Sequence, residues 1–149
     1  MANWLIPVSE VNWEVIRRKN IYGAPEASMA PKLIRINDNI IFYVIKKNSR
    51  VFGGKFVGVY TVVSEWFREE KFLWPDEINE GKVKYPWRIK IKPIKIGITD
   101  FNELIDKLSF TKDKKLPQAV LVGTPANMRK PISDEDLRII IEHLKPEKL

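Results

Sequence analysis

From residue 56 to residue 63 the chain reads Phe-Val-Gly-Val-Tyr-Thr-Val-Val, with β-branched and aromatic side chains on both parities. A strand of this kind buries both faces, so it belongs inside a covered sheet and not at its rim. Directly ahead of it, Phe52-Gly53-Gly54 places two residues without Cβ at the strand's head, where the backbone can take a positive φ or another molecule can come close. Further upstream, Ile40 to Lys46 is almost wholly apolar, and Lys47-Asn48-Ser49-Arg50 predicts the turn that joins the two runs.

The remaining elements arrange themselves around this hairpin. Residues 3 to 8 read as a first strand, and Ser9 caps a helix from about Glu10 to Lys19 with Val11, Val15 and Ile16 as its core stripe. Asn20 to Ala27, with Tyr22-Gly23-Ala24-Pro25, reads as loop, and Pro31 begins a short helical turn. Between Phe67 and Lys84 the periodicity disappears, but Phe72, Leu73 and Trp74 are three apolar residues that a solvated tether has no use for. Tyr85 to Ile96 resumes as a strand with Tyr85, Trp87, Ile89 and Ile91 on one face and Arg88, Lys90 and Lys92 on the other. Pro93 shifts its parity, which predicts a bulge or an edge position. Asp100 and Glu103 make a capping box for a helix carrying Phe101, Leu104, Ile105 and Leu108. Lys112 to Lys115 and Pro117 to Pro131 look irregular, and Ser133 caps a last helix whose stripe is Leu137, Ile140, Ile141 and Leu144. The expectation is a single α+β domain over 1–149, a mostly antiparallel β-barrel flanked by helices.

Chemistry is narrowed mainly by what the sequence omits. Without cysteine there are no disulfides, thiolate metal sites or thiol nucleophile, which fits a reducing compartment, and cytoplasm is the expected location. No segment approaches the roughly 20 apolar residues of a membrane span, so no membrane partner is expected. The single histidine, His143, sits on the last helix, and no phosphate-binding glycine loop occurs. No catalytic residue, metal site or cofactor is therefore expected, and an enzyme is the weaker class. A net charge of +7 favours polyanions, although 19 acidic residues beside 26 basic ones make a mixed surface and not a polybasic tail.

What the sequence supplies is flat aromatic surface, at Trp13, Tyr22, Trp66, Trp74 and Phe52, interleaved with Lys and Arg. Proteins hold an extruded base between such planes and bind its flanking phosphates with cations. The alternative is that these rings are core; Trp13 and Trp66, beside a helix and a strand, favour it, whereas Tyr22 and Trp74, in loops beside Gly and Pro, favour a pocket.

Asn12-Trp13, Asn20-Ile21-Tyr22-Gly23, Ile41-Phe42-Tyr43-Val44, Phe52-Gly53-Gly54, Tyr85-Pro86-Trp87-Arg88-Ile89 and Met128-Arg129 to Asp136 follow one another over nearly the whole chain. In this order they resemble the EVE domain, and most of all the small stand-alone archaeal EVE proteins. The resemblance implies a PUA-like β-barrel related to the YTH domain, and a pocket for a modified base in DNA or RNA. Asn12 stands ten residues before Tyr22, like the Asn that precedes a cage Trp in YTH domains; Trp74 is placed like a second cage Trp and Arg129 like a phosphate contact. The implied base-binding pocket is Asn12, Trp13, Tyr22, Gly23, Tyr43 and Trp74, with Lys55, Arg88, Arg129 and Lys130 on the nucleic-acid backbone. Each also admits a structural role: Asn12 can satisfy the helix start, Gly53 and Gly54 a hairpin, and Arg129 an ion pair with Asp134 or Asp136. A nucleic-acid modification enzyme such as one acting on tRNA, or a module for a small flat ligand or a protein, is the alternative function on such a scaffold. The oligomeric state, monomer or weak dimer, stays open.

Overall fold

The doubly apolar run takes the middle of the sheet. A computed structural model describes residues 1–111, 121–123 and 128–146. Its elements in order are β1 (Asn3–Val8), α1 (Glu10–Lys19), β2 (Ile21–Ala24), α2 (Ala30–Leu33), β3 (Asn39–Val44), β4 (Lys55–Val62), β5 (Phe67–Arg68), α3 (Pro75–Glu80), β6 (Trp87–Asp100), α4 (Phe101–Leu104), a 3-10 turn at Ser109–Thr111 and α5 (Asp134–His143). Among the described residues the strands run β1-β3-β4-β6-β2, with β5 also on β6. The β1–β3 pair is parallel and the others are antiparallel.

The length of β6 lets one strand serve two neighbours. Its last ten residues pair with β4, while Trp87 to Lys90 pair with β2. The ladder slips between Lys95 and Pro93, so of the bulge and the edge position that Pro93 allows, it is the bulge that forms. A strand that changes partners along its length curls the sheet, and the product is a half-barrel with helices on both sides.

Core forms on both faces of β4. Val57, Tyr60 and Val62 join Trp13, Phe42, Tyr22 and Ile89 on one side; Phe56 and Val59 join Tyr43, Phe101, Leu104 and Ile140 on the other. At the head of β4, Gly54 takes φ +77°, the left-handed turn that residues 53 and 54 predict.

Several local expectations change. Val11 is solvent-exposed and Trp13 takes its place on the buried side of α1 with Val15 and Ile16. The segment read as loop after Asn20 contains β2, because Asn20 closes α1 in the left-handed conformation and delivers the next four residues straight onto β6. The excursion from 67 to 84 holds β5 and α3. At Asp100 the carboxylate accepts from the Asn102 N–H, and the helix that follows lasts only from Phe101 to Leu104. The Lys112 to Lys115 run, and residues 117–120 and 124–127 of the irregular segment, lie outside the described residues. No helix among those described is long and apolar enough to cross a membrane.

Candidate functional site

At the carboxyl ends of the parallel strands β1 and β3, Pro7, Val8 and Ile45 emerge beside the start of α1 and enclose a cavity of about 180 Å³. Helix α1 and its cap contribute Ser9, Asn12 and Ile16 to its wall, β2 and the residue after it contribute Tyr22, Gly23 and Pro25, and Trp74, which caps α3, and Tyr85, which follows the 67–84 excursion, close it. Asn12, Tyr22, Gly23 and Trp74 are thus brought together, from α1, β2 and the 67–84 excursion.

The two aromatic walls at 74 and 85 are positioned by one buried carboxylate. Glu77 Oε1 accepts the N–H groups of Leu73 and Trp74 at 2.9 and 3.1 Å, and Oε2 accepts those of Lys84 and Tyr85 at 2.8 and 3.0 Å. Arg88 approaches Oε1 at 3.3 Å, donates to the carbonyls of Lys71 and Tyr85, and reaches Glu69 at 3.2 Å. Both Glu77 and Arg88 are buried, so the excursion is stitched from within and behaves as part of the scaffold.

Burial alone would raise the Glu77 pKa, but the backbone donors outweigh it and hold it below the ordinary 4.5. Glu10 is likewise lowered: burial opposes ionisation, and the N–H groups of Phe52, Arg50 and Val51, at 2.5 to 2.8 Å, prevail. Folded-state values below the unfolded one stabilise the protein fully above pH 4.5, and that contribution is lost as pH falls through the folded values. Acid unfolding followed by circular dichroism is expected to begin below that point. Glu10→Gln should flatten the dependence, and a flat profile in the unmutated protein down to strongly acid pH would contradict it.

Two polar atoms on the cavity wall are buried and have no hydrogen-bond partner, Asn12 Oδ1 and Trp74 Nε1. Trp74 is only 1 % exposed and stands edge-on to Tyr85 with centroids 5.8 Å apart. The Tyr85 hydroxyl donates to Asp76 Oδ2 at 2.5 Å, and Tyr85 shares the cavity wall with Asn12. Burial first, and then Asp76, push its pKa up to about 12, so it is neutral. Tyr22 packs on Phe42 and edge-on to Trp66, and burial pushes its hydroxyl up as well.

Gly23 lets Trp74 reach this position. A Cβ at residue 23 would lie 2.7 Å from Trp74 Cζ2, 2.9 Å from its Nε1 and 2.9 Å from the Tyr85 Cβ, all on closely packed groups. Gly23→Ala is therefore expected to cost about 1 to 3 kcal/mol of stability through overpacking and to shift the Trp74 fluorescence. Unchanged denaturation midpoints would show that β2 and α3 can part freely.

The structure puts other expected site residues elsewhere. Trp13 is core, against Phe42 and Tyr60, and Tyr43 points to the opposite face of the sheet, against Phe56 and Phe101. Arg88 is not on an outer lysine face but under the excursion, spent on Glu77 and Glu69. Lys55 pairs with Asp100 at 3.4 Å. Arg129 stacks over Phe110 at 4.5 Å and donates to the carbonyls of Lys130 and Leu121; Lys130 is exposed, and neither residue lines the cavity. Tyr85 was the wall residue that sequence patterning concealed, since alternation put it with the core face of β6. Its signal was the adjacent Pro86, which ends the ladder and leaves Tyr85 in a connection.

A curled, mixed sheet flanked by helices is the α+β architecture of the PUA-like class. A family model described as the EVE domain matches residues 2–143, and the chain belongs to that family. A UPF0310 protein of Saccharolobus solfataricus is 38 % identical over 149 residues, covering 100 % of this chain and 99 % of its own. Among solved structures, the Mmi1 YTH domain in complex with RNA superposes with a TM-score of 0.61 at 14 % identity, over 99 % of this chain and 84 % of that one. The YTH domain of Zygosaccharomyces rouxii MRB1, in complex with N6-methyladenosine RNA, gives 0.59 at 17 % identity, over 99 % and 88 %. At these identities what the structures share with this chain is the fold.

Proposed function

We propose that this protein is a non-enzymatic nucleic-acid-binding module whose cavity receives a modified base swung out of its strand. The observation that carries this reading is the pair of unpartnered buried groups, Asn12 Oδ1 and Trp74 Nε1, on the wall of an aromatic cavity. A buried polar atom without a partner costs about 1 to 3 kcal/mol, and a ligand edge that satisfies it recovers that cost. At about 180 Å³ the cavity is smaller than the ~300 to 1,000 Å³ pockets that hold drug-sized ligands, which suits one ring system and not a whole nucleotide. Tyr22, Trp74 and Tyr85 supply faces and edges for stacking, and the YTH neighbours bound to RNA and to N6-methyladenosine RNA support the analogy. The wall groups are a hydrogen-bonding amide, an indole, a neutral phenol and the Ser9 hydroxyl, which is occupied in accepting the Asn12 N–H.

Phosphates would be held at the loop that follows Ile45. Lys46, Lys47 and Arg50 are exposed there, and Glu10 ties the loop to α1 beside Ser9 and Asn12. These residues take over the role that Lys55, Arg88 and Arg129, engaged elsewhere, leave open. Fluorescence anisotropy with single-stranded oligonucleotides carrying N6-methyladenine, 5-methylcytosine or no modification tests both parts. One modified strand is expected to bind more tightly than its unmodified twin, and Lys46→Glu with Lys47→Glu should weaken all strands alike and reduce the salt slope by about 2. Equal affinity for every strand would sink the base-reading function.

A further inference from the structure

The turn that joins β3 to β4 is held rigidly, and yet it keeps an apolar side chain out in solvent. Glu10 accepts the N–H groups of three consecutive residues, Arg50, Val51 and Phe52, at 2.7, 2.8 and 2.5 Å, and the Ser49 hydroxyl donates to the Ile45 carbonyl at 2.6 Å. Phe52 is buried in the core, and a Cβ at Gly53 would lie 2.8 Å from the Ser49 Cβ and 3.2 Å from the Lys46 Cα, so the turn is also packed tightly on itself. Between these fixed points Val51 is 63 % exposed. Its backbone is already ordered, so a partner that closes over the side chain gains apolar contact at little entropic cost.

What surrounds Val51 identifies that partner. Glu10, whose carboxylate grips the turn, follows Ser9 on the cavity wall, and Ile45, at the root of the turn, lines the same wall. Lys46, Lys47 and Arg50 are exposed around it, which makes the setting of the valine cationic and suited to a polyanion. We propose that Val51 is a wedge: as a base leaves a double helix for the cavity, the β3–β4 turn enters the groove and the valine fills the space left in the stack, so that the partner of this module is duplex DNA. The inference rests on the base-reading function above and names the form of its nucleic acid. A base that leaves a duplex strands its neighbours without stacking, and an apolar side chain inserted at the base step offsets that loss. The major groove of B-form DNA admits a two-stranded β-ribbon, whereas that of A-form RNA is too narrow. Strands β3 and β4 form such a ribbon, and Val51 lies in the turn at its end.

Fluorescence anisotropy on the full chain tests the wedge with one DNA oligonucleotide carrying a single N6-methyladenine or 5-methylcytosine, used as a single strand and annealed to its complement, beside an RNA duplex of the same sequence. Val51→Ser is expected to weaken binding of the modified DNA duplex about tenfold or more, to leave single-strand affinity within about twofold, and to leave the melting temperature unchanged. Val51→Leu, which keeps an apolar tip, should retain duplex affinity. Val63→Ser, an equally exposed valine at the opposite end of β4 beside Lys90, should alter neither. Unchanged duplex affinity in Val51→Ser, equal weakening of duplex and single strand, an RNA duplex bound as tightly as the DNA duplex, or binding of single strands alone would overturn the wedge while leaving base reading intact. No discrimination of modified from unmodified bases in either form would overturn base reading, and the wedge with it.

Discussion

Glu77→Ala is expected to lower the unfolding free energy by about 3 to 5 kcal/mol, the range for removing one partner of a buried ion pair. Arg88 would keep only Glu69 and two carbonyls around a guanidinium that is 1 % exposed, and the N–H groups of residues 73, 74, 84 and 85 would lose their acceptor together. Against a total of roughly 5 to 15 kcal/mol for a domain of this kind, that loss is severe. Urea denaturation should show it, and a change below about 1 kcal/mol would mean that the excursion is not stitched through this carboxylate. On the proposed base-reading function, the same substitution should also abolish oligonucleotide discrimination even where the protein stays folded, because Trp74 and Tyr85 are the walls that Glu77 anchors.

Trp74→Ala should also cost about 3 to 5 kcal/mol of stability, since it empties a fully buried site, and it removes about 1 to 3 kcal/mol of stacking from any bound base. Truncation alone therefore cannot separate core from cage. Trp74→Phe can: it keeps a ring at the wall, leaves a smaller void and deletes the unpartnered Nε1–H. The expected pattern is a modest drop in melting temperature with a clear loss of affinity for the preferred oligonucleotide. Loss of stability in both variants, with affinity unchanged in Trp74→Phe, would assign the indole to packing only.

The elements that sequence patterning locates well are those whose signals are local. Ser9 and Ser133 announce their helices because each hydroxyl accepts the N–H three residues on, and the doubly apolar composition of β4 is explained by core on both faces. The misses have a common cause in distant partners. Arg88 alternates with Ile89 as a solvent-facing cation would, yet the excursion folds over that face and supplies it with Glu77 and Glu69, eleven and nineteen residues away. Helix α3 was readable after the fact from Pro75 at its first turn and Gly81 at its end, but six residues leave too short a window for periodicity to speak. In the cavity, Asn12, Tyr22, Gly23 and Trp74 were within reach of motif and aromatic arguments. Trp13 and Tyr43 are aromatic neighbours of the same motifs and are sent elsewhere by helical phase and strand parity, which motif order does not encode. Tyr85 could be assigned only by knowing that Asp76 waits for its hydroxyl.

The parallel pairing of β1 with β3 also governs the order in which the molecule can assemble. Residues 3 to 8 cannot complete a ladder until residues 39 to 44 arrive, and the Asn3 carbonyl further accepts the Ile132 N–H while its side-chain amide donates to the Ile132 carbonyl and to Asp134. The first strand is thus closed by one of the last segments of the chain. Such topology makes loop-closure entropy a large part of the folding barrier, so this domain should fold slowly for its size, and on the ribosome it should withhold its finished cavity until nearly all of the polypeptide has emerged.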